Sequence, residues 1–298
     1  MMRASLMKKT FFKNYSPFLY ILPSLLFLAF IFIYPVIQNF QRSFFRFAGG
    51  KSIFLGFDNY KYLFLKDTIT HKAVLHNFQL LMVIPILLVL AIFFAVLISE
   101  RIRFAKVYQT LLFIPFIISI VVVGVVFSRL LRLDGIINFI LNNIGLGILA
   151  KDWLGRPQYA IYAVMFVIIW KELPFGIILF LAGINNINKD IIEAAKIDGA
   201  NWFQTLIHVT IPQLKNIINF YVVYNVMVVF AWVFTYVFVL TNGGPANSTT
   251  ILELQIYNLA FKKNLMGMAS ALSMLLFLLI FVFIYLRFRL QRGALEEE

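Results

Sequence analysis

The chain contains no cysteine. Disulfides, thiolate metal sites and cysteine nucleophiles are therefore excluded, while the compartment stays open. Charge is also scarce: 13% of the 298 residues are Asp, Glu, Lys or Arg, against roughly 25% in a soluble domain. Within that small set, 13 acidic residues face 26 Lys and Arg, for a formal net charge of +13. The basic residues are scattered through loops and ends rather than arranged in a stripe. That distribution favours anionic lipid headgroups over nucleic acid. No run alternates polar and apolar residues in the way a membrane β-strand does. No internal repeat is evident to support an inverted-repeat carrier, and no separable soluble domain stands out. His71, His76 and His208 do not cluster with acids at metal-ligand spacing. Gly49-Gly50-Lys51-Ser52 hints at a phosphate-binding loop, but the glycine required five residues before the second one is replaced by Phe45. Asn247-Ser248-Thr249 matches a glycosylation triplet of a kind common by chance. No nucleophile–base or metal constellation points to an intramembrane enzyme.

What the chain has is apolar surface. Hydrophobic residues make up 62% of it, including 34 phenylalanines. One soluble core could not hide that much, so lipid must be part of the solvent. Six runs reach the roughly 20 residues needed to cross a bilayer: 17–39, 78–99, 107–128, 159–182, 213–240 and 267–287. Backbone groups in lipid must be satisfied internally, which makes these runs helices. The expected architecture is an all-α integral membrane protein with six spans. A tail at 1–16 and a tail at 289–298 flank a membrane domain at 17–288. The basic N-terminus resembles a signal peptide in part, but its apolar run is too long and no small-residue cleavage site follows, so an uncleaved first span is expected. Pro23, Pro35, Pro85, Pro115, Pro174 and Pro212 lie in or at the start of five runs. Interior prolines kink helices, whereas Pro212 suits a first helical turn. Six spans put both termini on one side, and the denser Lys and Arg of the connections there place that side in the cytoplasm.

Two features interrupt this pattern. The stretch EAAKIDGANWFQTLIHVTIP, Glu193 to Pro212, is polar and small between two long apolar runs. It reads as two short helices pivoting at Gly199, either a knuckle that enters another protein or a plain interfacial helix–turn–helix. Lys171 and Glu172 lie mid-span, where charge is expensive and marks a cavity or a partner. Adjacent helical positions point apart, so the two need not pair. The next run carries Tyr221, Tyr224, Asn225, Phe230, Trp232 and Tyr236; aromatic faces can stack on sugars, and a mid-membrane amide needs a partner.

Glu193-Ala194-Ala195, Gly199, Val209 and Ile211-Pro212 resemble the coupling loop of ABC-importer permeases, with Ile211 in place of the usual Leu. Asp198-Gly199-Ala200 is similar to the carbohydrate branch. So are LGFDNYKYLF (Leu55 to Phe64), IWKELPFGIILFLAGINNI (Ile169 to Ile187) and TNGGPANSTTILELQIYNLAF (Thr241 to Phe261). The resemblance spans nearly the whole chain. It implies a type I ABC-importer permease fold with a cytoplasmic coupling loop at about 190–212, in a bacterial or archaeal-type cytoplasmic membrane. The implied partners are a second homologous permease, two cytoplasmic ATPase subunits that hold ATP and Mg, and an extracytoplasmic solute-binding protein. Glu193, Ala194, Ala195, Asp198, Gly199, Ala200 and Pro212 would couple to the ATPase. Ile168, Lys171, Glu172, Phe175, Tyr224, Asn225, Phe230, Trp232 and Tyr236 would form the substrate pathway, although relatives are mostly uncharged around 171 and 172. This chain itself would bind no cofactor or metal and do no covalent chemistry. The expected cargo is a sugar or oligosaccharide. A non-sugar solute such as a glycerol-phosphate ester stays open, as does a stand-alone ion-coupled carrier.

Overall fold

The computed structural model describes residues 20–99 and 105–296; the expected tail at 1–16, the first residues of the run at 17–39, the connection at 100–104 and the last two residues lie outside them. Among the described residues, five helices are long and apolar enough to cross a membrane: Tyr20–Arg42, Thr68–Ser99, Pro157–Asn185, Lys215–Leu240 and Met266–Arg287. The expected run at 107–128 is not one straight helix. It divides into Ala105–Ile117 and Ile120–Leu130, and its apolar part bends by 99° at the break. Counting the bent pair as one makes six spans. Pro115 sits inside the first half, where it cannot donate to the Leu111 carbonyl and its ring crowds that carbonyl, weakening the turn that precedes it.

Span lengths differ from the apolar runs where hydropathy understates a helix. The second span begins ten residues early, at Thr68, because Asp67 caps it: its carboxylate accepts from Ile69 N at 3.1 Å. The sixth helix continues to Glu296, so residues 289–296 of the expected tail are helical. Pro212 does not open a fresh helix. A wide π-helical turn at Leu206–Thr210 runs into Ile211–Gln213, and the same arrangement, Ala29–Ile33, precedes Pro35. Widening the turn keeps each proline ring from the carbonyl four residues back.

The fourth span, Pro157–Asn185, is the core of the bundle, with 61% of its most apolar window buried. It packs most extensively on Val83–Ser99, where Ala91, Ala95 and Gly176 allow a close approach. Ile168, Ile177, Phe180, Tyr221 and Tyr236 are among the largest fully buried side chains, and Phe180 meets Tyr221 edge-on at 5.2 Å between the fourth and fifth spans. Small residues at helix contacts matter here because lipid supplies no hydrophobic force between helices. The first span, by contrast, buries none of its window.

An antiparallel hairpin not expected in an all-α chain follows the first span: β1 (Phe45–Ala48) pairs with β2 (Lys51–Phe54). Its loop is Gly49-Gly50, both at positive φ (56° and 74°), the geometry of a two-residue hairpin turn. The glycines that suggest a phosphate loop in the sequence thus make a turn. Asn59 stitches the hairpin down through Ser43 O (2.8 Å) and Phe45 O (3.1 Å).

Candidate functional site

The fourth and fifth spans bring an aromatic strip together. Phe116 stacks on Phe175 (5.3 Å between centroids, 17°). Phe175 lies 4.6 Å from Tyr224, and Tyr224 meets Trp232 edge-on at 5.8 Å. The strip climbs from the half-buried Phe175 and Tyr224 to Trp232, which is 50% exposed. Trp232 ends the π-helical turn Val228–Trp232, whose extra residue offsets it from the regular helical register.

Lys171 and Glu172 stand behind this strip, both buried, and they diverge. Lys171 Nζ donates to the Phe116 carbonyl at 2.6 Å and lies 4.9 Å from the centroid of the Phe116 ring. Glu172 accepts from Tyr236 OH at 2.6 Å and from Tyr224 OH at 3.4 Å. A buried carboxylate is tolerable only when hydrogen bonds replace its water, and the two phenols do this.

The expected pathway residues therefore fall into two groups. Phe175, Tyr224 and Trp232 form a connected surface. Ile168, Lys171, Glu172, Asn225, Phe230 and Tyr236 are buried within the chain's own core. Asn225 satisfies its amide locally, donating to Tyr221 O at 2.8 Å. Phe116 is a member of the strip that sequence reasoning missed; the nearby Pro115 and the mid-span Lys171 were its available signals.

Between these two spans lies the polar knuckle. Its first helix, Lys189–Ile197, is capped by Asn188, whose side chain accepts from Asp190 N at 3.0 Å. Asp198 is the C-cap, and Gly199 follows at φ +82°. Gly199 N donates to Lys196 O (3.1 Å) and Ala200 N to Ala195 O (3.0 Å), the two bonds of a Schellman motif. The second helix starts at once with a reciprocal capping box: Gln204 N donates to Asn201 Oδ1 (2.9 Å) and Asn201 N to Gln204 Oε1 (2.8 Å). The Asn-x-x-Gln spacing was legible in the sequence. Glu193, Ala194, Asp198 and Gly199 are exposed, Ala195 and Ala200 half-buried, and Pro212 is exposed beyond the second helix. The tip presents Ile197 (85% exposed) and Phe203 (61%), apolar side chains on a segment outside the spans.

At the opposite end, the loop from Thr241 to Phe261 is held to the start of the second span. Gln255 Nε2 donates to Asp67 Oδ2 (3.0 Å), His76 Nδ1 lies 2.8 Å from Thr250 O, and Leu252 N donates to Asn77 Oδ1 (2.8 Å). Thr249 is fully buried and its hydroxyl donates to Gly244 O at 2.8 Å, so the Asn247-Ser248-Thr249 triplet is part of the loop's internal bonding. Burial pushes the Glu253 carboxyl up to about 8, with Asn77 Nδ2 donating weakly to it at 3.3 and 3.4 Å.

A sequence model described as "Binding-protein-dependent transport system inner membrane component" matches residues 52–294. The chain is 31% identical to the probable ABC transporter permease protein YurN of Bacillus subtilis (strain 168), over 94% of this chain and 97% of that protein. It is likewise 31% identical to the multiple sugar-binding transport system permease protein MsmF of Streptococcus mutans, covering 88% and 90% respectively. Its fold is similar to a chain of a bacterial alginate ABC transporter crystallised with an alginate pentasaccharide-bound periplasmic protein. That match has a TM-score of 0.80 at 24% identity, covering 96% of this chain and 97% of the other.

Proposed function

Because this chain belongs to the family of binding-protein-dependent transport system inner membrane components, we propose that it is the permease subunit of an ATP-driven ABC importer for a sugar or oligosaccharide. ATP and Mg belong on two partner ATPase subunits at the cytoplasmic face, and this chain performs no covalent step. A second, homologous permease completes the pathway, and an external binding protein delivers the cargo. The knuckle and both termini face the cytoplasm.

One observation carries this reading. The knuckle is the direct link between the two spans that hold the aromatic strip: the fourth span ends at Asn185, the knuckle follows, and the fifth begins at Lys215. A push on Ile197, Phe203 and the exposed Glu193 therefore has only the short connections at 186–188 and at Leu214 to cross before it enters the helices that carry Phe175 and Tyr224. Rigid-body switching of this kind couples ATPase closure to alternating access. Glu193 is the residue for a cationic ATPase partner, while Ala194, Ala195, Asp198, Gly199 and Ala200 shape the tip, and Pro212 sits where the tip meets the fifth span. The strip suits a sugar because aromatic faces cover apolar ring faces while exposed polar edges take hydroxyls. MsmF, named for multiple sugars, supports that cargo class. A phosphate ester would call on Lys171, but its ammonium is directed at Phe116 O.

The test is uptake by the reconstituted complex of both permeases, the ATPases and the binding protein. Glu193→Lys is expected to abolish uptake and binding-protein-stimulated ATP hydrolysis at unchanged membrane insertion. Trp232→Ala is expected to raise KM for a neutral saccharide by about tenfold, in line with the loss of one stacking face. Uptake by the single chain without ATP would instead establish an ion-coupled carrier. Competition by phosphorylated solutes but not by neutral sugars would overturn the cargo class.

A further inference from the structure

The third span breaks where a bilayer demands continuity. A helix that ends inside the membrane leaves its last carbonyls without helical partners, and lipid offers none. Ala105–Ile117 ends this way, and the chain turns by 99° before Ile120–Leu130. The carbonyl of Phe116, in the last turn, accepts from Lys171 Nζ at 2.6 Å. The ring of the same residue faces the same ammonium at 4.9 Å, then stacks on Phe175, one helical turn beyond Lys171. One cation on a neighbouring span thus engages both the backbone and the ring of the residue at the bend.

Each part of this contact has a physical reason. The C-terminal end of a helix carries partial negative charge, which an ammonium complements. Charge-assisted bonds are stronger than neutral ones, and low dielectric strengthens them further. Glu172 does not draw the lysine away, because its oxygens are taken by Tyr236 and Tyr224. The adjacent charges are therefore divided: the carboxylate is tied to the fifth span and the ammonium to the third.

We propose that Lys171 is a positioning residue for transport. It holds the bend of the third span by capping Phe116 and so sets the Phe116–Phe175 stack at the base of the aromatic strip. Its effect on uptake rests on the transport reading above; its effect on the bend does not.

The experiment uses the full transporter complex. Because the chain has no cysteine, spin labels can be placed at Leu111→Cys and Val126→Cys, exposed positions on either side of the bend. The labelled parent is expected to give one narrow inter-label distance. Lys171→Met is expected to broaden it and to lower the uptake Vmax about tenfold, with KM changed much less, the scale of losing a charged hydrogen bond. A parent-like narrow distance in Lys171→Met overturns the proposal. So does a rise in KM alone, which would assign Lys171 to direct cargo contact. If Lys171→Met does not accumulate, Lys171→Gln decides by the same distance, since its neutral and shorter side chain should also broaden it; a narrow distance there is equally fatal. Failure of the cargo reading would appear as no sugar uptake by the parent and leaves the distance measurement to judge the bend.

Discussion

Tyr236 reaches across from the fifth span to donate to Glu172 on the fourth at 2.6 Å, while Tyr224, three turns earlier on the same span, reaches the other carboxylate oxygen at 3.4 Å. The two spans are thus joined by a buried carboxylate rather than by an ion pair between the adjacent Lys171 and Glu172.

Tyr236→Phe leaves the Glu172 carboxylate with only its longer bond. A lost hydrogen bond to a buried charge costs about 1.5–3 kcal/mol. Thermal unfolding of the purified protein should therefore show a lower melting temperature, while Tyr285→Phe, at an exposed position, should show none. Equal melting of the two variants would dismiss the carboxylate as the link.

Gly199 holds its positive φ with nothing within 4 Å of where a Cβ would sit. The demand is conformational, not steric. Gly199→Ala should cost about 1–2 kcal/mol in the left-handed conformation, and Gly199→Asn less, since asparagine tolerates it. Binding-protein-stimulated ATPase activity, normalised to inserted protein, should fall in the order Gly, Asn, Ala, Val. Full activity of Gly199→Val would show that the Schellman turn is dispensable for coupling.

Gly176 is the opposite case. A Cβ there would collide with Tyr221 Oη and Ala91 Cβ, at the contact between the second and fourth spans. Gly176→Ala should destabilise by about 1–3 kcal/mol through overpacking, read as a lower denaturation midpoint in detergent. Unchanged stability would mean that the two spans separate at little cost.

Glu253 makes the loop from Thr241 to Phe261 sensitive to pH. Its carboxyl is raised from the ordinary range to about 8 by burial. The folded state therefore keeps a proton that the unfolded chain has lost. Anchorage should be strongest below the ordinary carboxylate range and weaken as pH rises toward 8, with no further loss above it. Asp67 and His76 share the anchor, so the comparison must be made against Glu253→Gln. Melting temperatures at pH 5 and 9 should differ more in the parent than in that variant. Equal differences would exclude Glu253 as the source.

Composition and hydropathy alone determined a membrane protein with six apolar runs, and the residues from Glu193 to Pro212 were legible as a helix–turn–helix pivoting at Gly199. Those conclusions rest on local physics: span length, cap chemistry and the left-handed turn depend on residues close in the chain. The tertiary structure decided what non-local contacts decide. Pro115 signalled a weakened helix but carried no direction, and the bend became visible only with Lys171 seated on Phe116. The fifth span carries apolar and aromatic residues around its whole circumference, so no periodicity could separate the buried Tyr221, Asn225 and Tyr236 from the exposed Trp232. Adjacency indicated that Lys171 and Glu172 need not pair, since a helix sends neighbouring side chains apart, but only the packed bundle supplies their partners, Phe116 for the one and Tyr224 and Tyr236 for the other.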